Sequence, residues 1–121
     1  MSDKELVWVG SARRDLRRFP DLARQIAGQE LRSVQAGLEP TDWKPMPAVG
    51  RGVVEIRVHG SVEHRVFYVA KFSEAVYVLH AFAKKSQQTS RLDIEIGRNR
   101  LAEVIEWRLG ERKRERQNDR E

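Results

Sequence analysis

The sequence contains no cysteine, and this absence excludes disulfide bridges and zinc sites built from thiolates. It also contains no apolar run approaching the ~18 residues that a membrane-spanning helix needs. The opening segment, MSDKELVWVG, lacks the apolar stretch of a secretory signal peptide. We therefore expect a cytoplasmic protein that does not contact a membrane.

Motifs of several common chemistries are missing as well. The histidines His59, His64 and His80 form no ligand pair at helical spacing, so we predict no metal site and no cofactor. His59 and His64 flank a predicted turn, where we expect both to be solvated. No GxSxG motif and no GxxxxGK[ST] phosphate loop occur. Glu55 and Glu63 are expected to pair with neighbouring arginines across a hairpin rather than with each other.

Positive charge is what the chain has in excess. Lys and Arg total 23 against 18 Asp and Glu, which gives a net charge of +5. A balance of this size indicates a polyanionic partner such as nucleic acid or the ribosome, although a soluble protein with a basic tail has the same composition. The length of 121 residues fits one domain, which we place at residues 1–110, followed by a charged tail at 111–121.

Hydrophobic periodicity in the first half predicts one strand and two helices. The short apolar run Leu6–Val9 is a candidate strand, and it pairs at a sheet edge because two helices separate it from the other strands. Helices are predicted at Ala12–Phe19 and from Pro20 to Gly37. Residues 39–52 contain three prolines and two glycines, which predict a loop without regular structure.

The second half predicts a β-meander followed by a helix. Three β-type runs, Val53–His59, Glu63–Phe72 and Ala75–Phe82, are joined by short turns and are therefore antiparallel. The third run is apolar on both parities, as a central strand would be. Thr89–Leu109 carries an apolar stripe at the helical period. The predicted fold class is α+β: a small twisted antiparallel sheet with two N-terminal helices and a C-terminal helix, the helices on one face and the other face partly open.

Basic residues are predicted to gather at one end of this sheet. In a meander, the end of the third strand lies beside the start of the second, so Lys84 or Lys85 approaches Arg65. Arg57 then lies one strand further across. Such a set can clamp a phosphate and stabilise charge that develops on it. The alternative is that these are ordinary surface residues in a chain rich in lysine and arginine.

Three segments carry a family resemblance: KPMPAVGRGVVEIRV, HRVFYVAKF and VYVLHAFAKKSQQTSRLDIEIGRNRL. Through them the chain resembles the RelE/ParE toxin superfamily, and within it the HigB-like, phage-derived toxins of type II toxin–antitoxin systems. The resemblance covers roughly Leu6 to Trp107. It implies a compact RelE-like domain with two N-terminal helices, a twisted antiparallel sheet and a C-terminal helix, which is the element order predicted above.

The resemblance also implies an activity: endoribonuclease cleavage of mRNA on the ribosome. In that reaction the ribose 2′-hydroxyl attacks the adjacent phosphate and the 5′-oxygen leaves, with no metal required. It implies that Arg65 contacts the scissile phosphate and that Arg57 acts near the 2′-hydroxyl or holds the backbone. Lys84 and Lys85 would stabilise charge or protonate the leaving group, with Lys85 the better candidate. Residues expected to bind substrate are His59, Lys71, Gln88 and Arg91.

Two other functions remain open on the same fold: a ParE-like gyrase inhibitor, and a non-catalytic phage-derived module that binds nucleic acid or protein. Many RelE-like enzymes carry a tyrosine or histidine beyond the basic pair, whereas this chain has Gln87, Gln88, Thr89 and Arg91 there. The resemblance implies a cognate antitoxin as partner, of the helix-turn-helix, HigA-like kind. It implies contact with the ribosome and mRNA, and with operator DNA only through the antitoxin complex.

Overall fold

A computed structural model describes residues 3–120, in which one strand is followed by two helices, four strands and a final helix. The helices are α1 (Ala12–Arg17), α2 (Asp21–Gln35) and α3 (Arg91–Arg120). The strands are β1 (Glu5–Trp8), β2 (Trp43–Pro45), β3 (Val53–Val58), β4 (Glu63–Val69) and β5 (Ala75–Lys84). The strands form one sheet in the order β1-β5-β4-β3-β2.

The sheet is antiparallel except at one junction, where β1 runs parallel to β5. β1 lies at an edge, as predicted. β5 is an internal strand between β1 and β4, and it is buried on both faces from Ala75 to Phe82. A strand covered on both sides is expected to be apolar on both parities. The predicted α+β class is therefore confirmed, with a sheet that is mixed rather than purely antiparallel.

The segment at residues 39–52 contains a strand, so the prediction that it lacks regular structure is wrong. β2 pairs antiparallel with β3, with Lys44 opposite Glu55 and Pro45 opposite Val54. β2 is the outermost strand of the sheet on this side. A proline cannot donate a ladder hydrogen bond, but an edge strand tolerates it. The proline content that argues for a loop is thus compatible with an edge strand.

One face of the sheet is covered by α1 and α2. Leu16 of α1 and Leu31 and Val34 of α2 are buried in a core with Ile56 and Val66 from the sheet. These strand residues alternate with the residues of the opposite face, as the two-residue period of a strand requires.

The other face of the sheet is covered by α3, so the prediction that all helices lie on one face is wrong. Leu101 and Val104 of α3 are buried with Phe67, Tyr77 and Leu79. Both faces of β4 and β5 carry large apolar side chains, and a sheet of this kind is stable only when both faces are covered. The α3 face is open at the end of the sheet described below.

α3 begins with a cap and continues through the charged tail. The Ser90 hydroxyl accepts the Asp93 N–H at 3.1 Å and so caps the first turn of the helix. The predicted end at Leu109 is wrong, because the helix continues to Arg120. The domain boundary at residue 110 stays a prediction. Within residues 3–120, no helix is both long enough and apolar enough to cross a bilayer.

Gly97 of α3 packs closely against Phe67 of the sheet and Val49 of the segment before β3. A Cβ at this position would lie 2.8 Å from Val49 Cγ1 and 3.1 Å from Phe67 Cδ2. Gly110, on the same helix, would place a Cβ in open space. Alanine at Gly97 therefore tests packing against the sheet together with helix propensity, whereas alanine at Gly110 tests helix propensity alone.

Gly97→Ala is expected to lower the free energy of unfolding by about 1–2 kcal/mol, because overpacking outweighs the higher helix propensity of alanine. Gly110→Ala is the matched control, and it is expected to raise stability by up to about 1 kcal/mol. Urea unfolding of the two variants measures both. Equal stabilisation by the two substitutions would show that α3 does not pack against Phe67 in solution.

Candidate functional site

Charged side chains take over from apolar ones at the end of the sheet where β3 and β5 finish and β4 begins. Arg57 of β3 lies opposite Arg65 of β4, and Glu63 of β4 lies opposite Lys84 of β5. These side chains share the α3 face of the sheet. They surround an open groove of about 530 Å³. The residues that line it are Arg57, Glu63, Arg65, Lys84, Lys85, Ser86 and Gln87. The structure thus brings together the four basic residues that the sequence placed at this end.

Arg65 forms the buried floor of the groove, with only 5% of its side chain exposed. Its Nη1 donates to the His64 carbonyl at 3.0 Å, and its Nη2 donates to Glu63 Oε1 at 3.1 Å. Its Nε lies 3.5 Å from Glu55 Oε1. The guanidinium is therefore held by carboxylates and a backbone oxygen on three sides. The phosphate contact expected for Arg65 stays a prediction.

Arg57 is the more accessible arginine, with 32% of its side chain exposed. Its Nε lies 3.6 Å from Glu55 Oε1, within ion-pair distance. No other ion pair or side-chain hydrogen bond of Arg57 occurs in the part of the chain that the structure describes. The two Nη groups are therefore available to a ligand. The pairing of Glu55 and Glu63 with these arginines is confirmed, and Glu55 contacts both.

Lys84 is half-buried among other cations. Burial lowers the pKa of Lys84 below its ordinary value of 10.5, and Arg65 lowers it further, with smaller effects from Lys44 and Arg57. Glu55 acts in the opposite direction. Lys44 is a member of this cluster that the sequence analysis missed. Its register opposite Glu55 places it on this face, and recognising β2 as an edge strand would have revealed it.

His59 connects the rim of the groove to the segment before β2. Its Nδ1 lies 2.7 Å from Glu63 Oε1, and its Nε2 is hydrogen-bonded to Asp42 Oδ2. These contacts raise the pKa of His59, with Asp42 the larger cause and Glu63 the second. The His59 hydrogen bond is the largest of the effects that lower the pKa of Glu63 to about 2. His59 is exposed, as predicted.

The other two histidines lie in the cores. His64 is buried on the α1 face with its ring centroid 4.4 Å from that of Phe19, so the prediction of a solvated turn histidine is wrong for it. The strand alternation that turns Arg65 towards α3 turns His64 the opposite way. His80 is buried beneath the start of α3, where its Nε2 lies 2.7 Å from Asp93 Oδ1. Burial lowers the pKa of His80, while Asp93 opposes that effect.

The remaining residues expected to bind substrate lie at or beyond the edge of the groove. Lys71 follows the opposite end of β4, where its Nζ donates to the Arg51 carbonyl at 3.0 Å, so the structure does not bring it to the groove. Gln88 is exposed next to the groove-lining Gln87. The Arg91 side chain is 95% exposed at the start of α3. Binding roles for these residues stay predictions. Within residues 3–120, no group of three or more His, Asp and Glu side chains is arranged to hold a metal ion.

The fold and the groove together define an α+β domain with an antiparallel-dominated sheet, consistent with the RelE-like fold. The sequence profile of the family described as phage derived protein Gp49-like (DUF891) matches residues 14–102. The chain therefore belongs to this phage-derived, RelE/toxin-like family. The matched segment contains every residue that lines the groove. No curated protein sequence matches the chain.

Replacement of Arg65 by alanine is expected to destabilise the fold, because it leaves Glu55 and Glu63 without their shared partner. Removing one member of a buried ion pair costs about 3–5 kcal/mol. Arg57→Ala is the matched control, and its loss is expected to stay near or below about 1 kcal/mol because Arg57 is partly exposed. Chemical denaturation measures both. Similar losses for the two variants would contradict the buried role of Arg65.

The His59 bridge makes a prediction about pH. Because the folded-state pKa of His59 is raised above 6.5, its contribution to stability is full below pH 6.5 and is lost as pH rises through the folded-state value. Asp42→Asn is expected to move the pKa of His59 down towards 6.5, without reaching it while Glu63 remains. Imidazole signals followed by NMR titration give the pKa values, with His80 as the internal control. An unchanged His59 value would show that Asp42 does not contact it.

Proposed function

We propose that this chain is the HigB-like toxin of a type II toxin–antitoxin system, and that it is an endoribonuclease cleaving mRNA on the ribosome. The observation that supports this most strongly is the grouping of Arg57, Lys84 and Lys85 around one open groove. Lys44 and Arg65 add positive charge beside and beneath them. Glu55 and Glu63 offset only part of this charge, so the groove attracts a phosphate backbone.

The proposed chemistry is transfer of the phosphate from the 5′-oxygen to the neighbouring 2′-oxygen. The 2′-oxygen forms a bond to phosphorus, the bond from phosphorus to the 5′-oxygen breaks, and the products are a 2′,3′-cyclic phosphate and a 5′-hydroxyl. Arg57 and Lys85 contact the non-bridging oxygens, where negative charge increases in the transition state. The arginine and lysine side chains carry out this role in the proposed reaction without a metal ion.

Proton transfer to the leaving oxygen is assigned to Lys84. A general acid works best when its pKa lies near the operating pH, and burial together with Arg65 moves the pKa of Lys84 in that direction. The Lys84 ammonium gives its proton to the 5′-oxygen, and the 2′-hydroxyl proton passes to water. This assignment differs from the expectation that favoured Lys85, which is exposed at the end of β5.

The proposed partners are the ribosome with its mRNA, and a cognate antitoxin of the helix-turn-helix, HigA-like kind. The antitoxin neutralises the toxin, and operator DNA is bound only through their complex. We place the pair in the cytoplasm. A second candidate is a non-catalytic module that binds nucleic acid. Gln87 supports it, because this groove-lining amide belongs to the segment beyond the basic pair, in which many RelE-like enzymes carry a tyrosine or histidine.

Induced expression without an antitoxin, followed by mapping of RNA 5′ ends on translated messages, tests the proposal. We expect growth arrest with cuts at codon positions, and loss of both in Arg57→Ala and Lys84→Ala. Loss of an oriented phosphate contact or a general acid typically lowers a rate about 10²-fold or more. Arg13→Ala is the matched control, since it removes an exposed arginine from α1 on the opposite face.

The alternative outcomes separate the other functions. Growth arrest with intact RNA and an induced DNA-damage response would indicate a gyrase inhibitor. Absence of toxicity, with RNA binding retained by the purified protein, would indicate the non-catalytic module. Equal cutting by Arg57→Ala, Lys84→Ala and the wild type would show that the groove is not where cleavage occurs.

A further inference from the structure

Glu55 is a fully buried carboxylate that lies against both arginines of the groove. None of its side chain is exposed. Its Oε1 lies 3.6 Å from Arg57 Nε and 3.5 Å from Arg65 Nε. The Thr89 hydroxyl lies 3.5 Å from its other oxygen, Oε2. One carboxylate thus joins β3, β4 and the linker that precedes α3.

Glu55 offsets the charge of the buried Arg65, and removing one member of a buried ion pair is strongly destabilising. That contact accounts for one of the two arginines that the carboxylate touches. Glu55 lies opposite Phe67, which belongs to the core beneath α3, so an apolar side chain at position 55 would extend that core. A carboxylate is needed here to offset Arg65, and its contact with Arg57 gives it a second role.

The contact with Arg57 indicates what that role is. An arginine that is partly exposed and otherwise unpartnered samples many rotamers, and ordering it costs conformational entropy. Glu55 contacts Arg57 at Nε at ion-pair rather than hydrogen-bond distance, and Arg57 Nε and Glu55 Oε1 have no hydrogen-bond partner among the described residues. This one-sided contact leaves both Nη groups free. A guanidinium held from its Nε side presents two parallel donors, the arrangement that binds a phosphate in bidentate fashion.

We propose that Glu55 is a positioning residue that fixes the Arg57 guanidinium towards a phosphate of the RNA substrate. Arg65 is the second anchor of the carboxylate and keeps it centred beneath the groove. The inference rests on the proposed function, because it assigns the phosphate to RNA. It adds that the orientation of Arg57, and not only its charge, determines the rate.

Glu55→Gln distinguishes the orientation of Arg57 from the net charge of the groove. Losing the orientation is expected to slow cleavage, whereas losing a negative charge is expected to strengthen RNA binding. The substitution adds one net positive charge, so binding of a 2′-O-methyl RNA, which cannot be cleaved, is expected to stay equal or tighten about two- to fivefold. Single-turnover cleavage of ribosome-bound mRNA is expected to fall about tenfold or more, because Arg57 is no longer oriented. Glu106→Gln is the matched control, since it removes a carboxylate from an exposed position of α3.

A second variant and a second measurement cover the case in which Glu55→Gln does not fold. Glu55→Asp keeps the charge but withdraws it by one methylene, so cleavage is expected to fall while RNA binding is unchanged. In NMR spectra, the Arg57 Nε–H signal is expected to be in slow exchange in the wild type and Glu106→Gln, and to be lost in both Glu55 variants.

Two results would overturn the inference. One is a cleavage rate that is unchanged or increased in folded Glu55→Gln, which would make Glu55 a charge offset only. The other is an Arg57 Nε–H signal that is not protected in the wild type. If the wild-type protein leaves ribosome-bound mRNA intact, the proposed function fails, and the NMR measurement still decides whether Glu55 holds Arg57.

Discussion

A β-bulge in β5 determines which residues meet in the groove. Phe67 of β4 lies opposite His80, whereas the next residue, Tyr68, lies opposite Val78, so Leu79 is the extra residue. Strict alternation from Val78 would turn Lys84 towards α1 and α2. The extra residue reverses the parity and turns Lys84 to the α3 face, opposite Glu63. The cluster of arginines and lysines therefore depends on one irregular position.

The bulge is held from the α3 side by Arg100. Its Nη1 donates to the Leu79 carbonyl at 2.8 Å, and its Nη2 donates to the Ser11 hydroxyl at 2.8 Å. A backbone oxygen at the bulge thus accepts a hydrogen bond from a charged donor, and such a bond is strong in a part-buried setting. The same arginine links α3 to the turn before α1. The packing of α3 on the sheet, the bulge in β5 and the position of Lys84 in the groove are consequently linked through Arg100.

Most helices and strands can be predicted from the local hydrophobic pattern of the sequence. The bulge in β5 and the edge strand β2, which complete the site, depend on contacts between distant residues. β3 alternates Val54, Ile56 and Val58 with polar residues, so its faces could be read directly. The β5 bulge could not be predicted. When both faces of a strand are apolar, its sequence does not show which residues point to which face, so an extra residue leaves no mark in the pattern. β2 was missed because Pro45 counts against a strand unless its edge position is known. Lys44 was missed for the same reason.

For the same reason, it was easier to predict which residues form the site than to predict what each of them does. The sequence indicated that Arg57 and Arg65 lie together, but burial distinguishes them, and burial follows from the strands on either side. Arg65 lies on the central strand β4, whereas Arg57 lies on β3, next to the three-residue edge strand β2. Solvent therefore reaches Arg57, while Arg65 is enclosed. In the proposed reaction the two arginines have different main roles. Arg65 adds to the effect of burial in lowering the pKa of Lys84, and Arg57 contacts the phosphate.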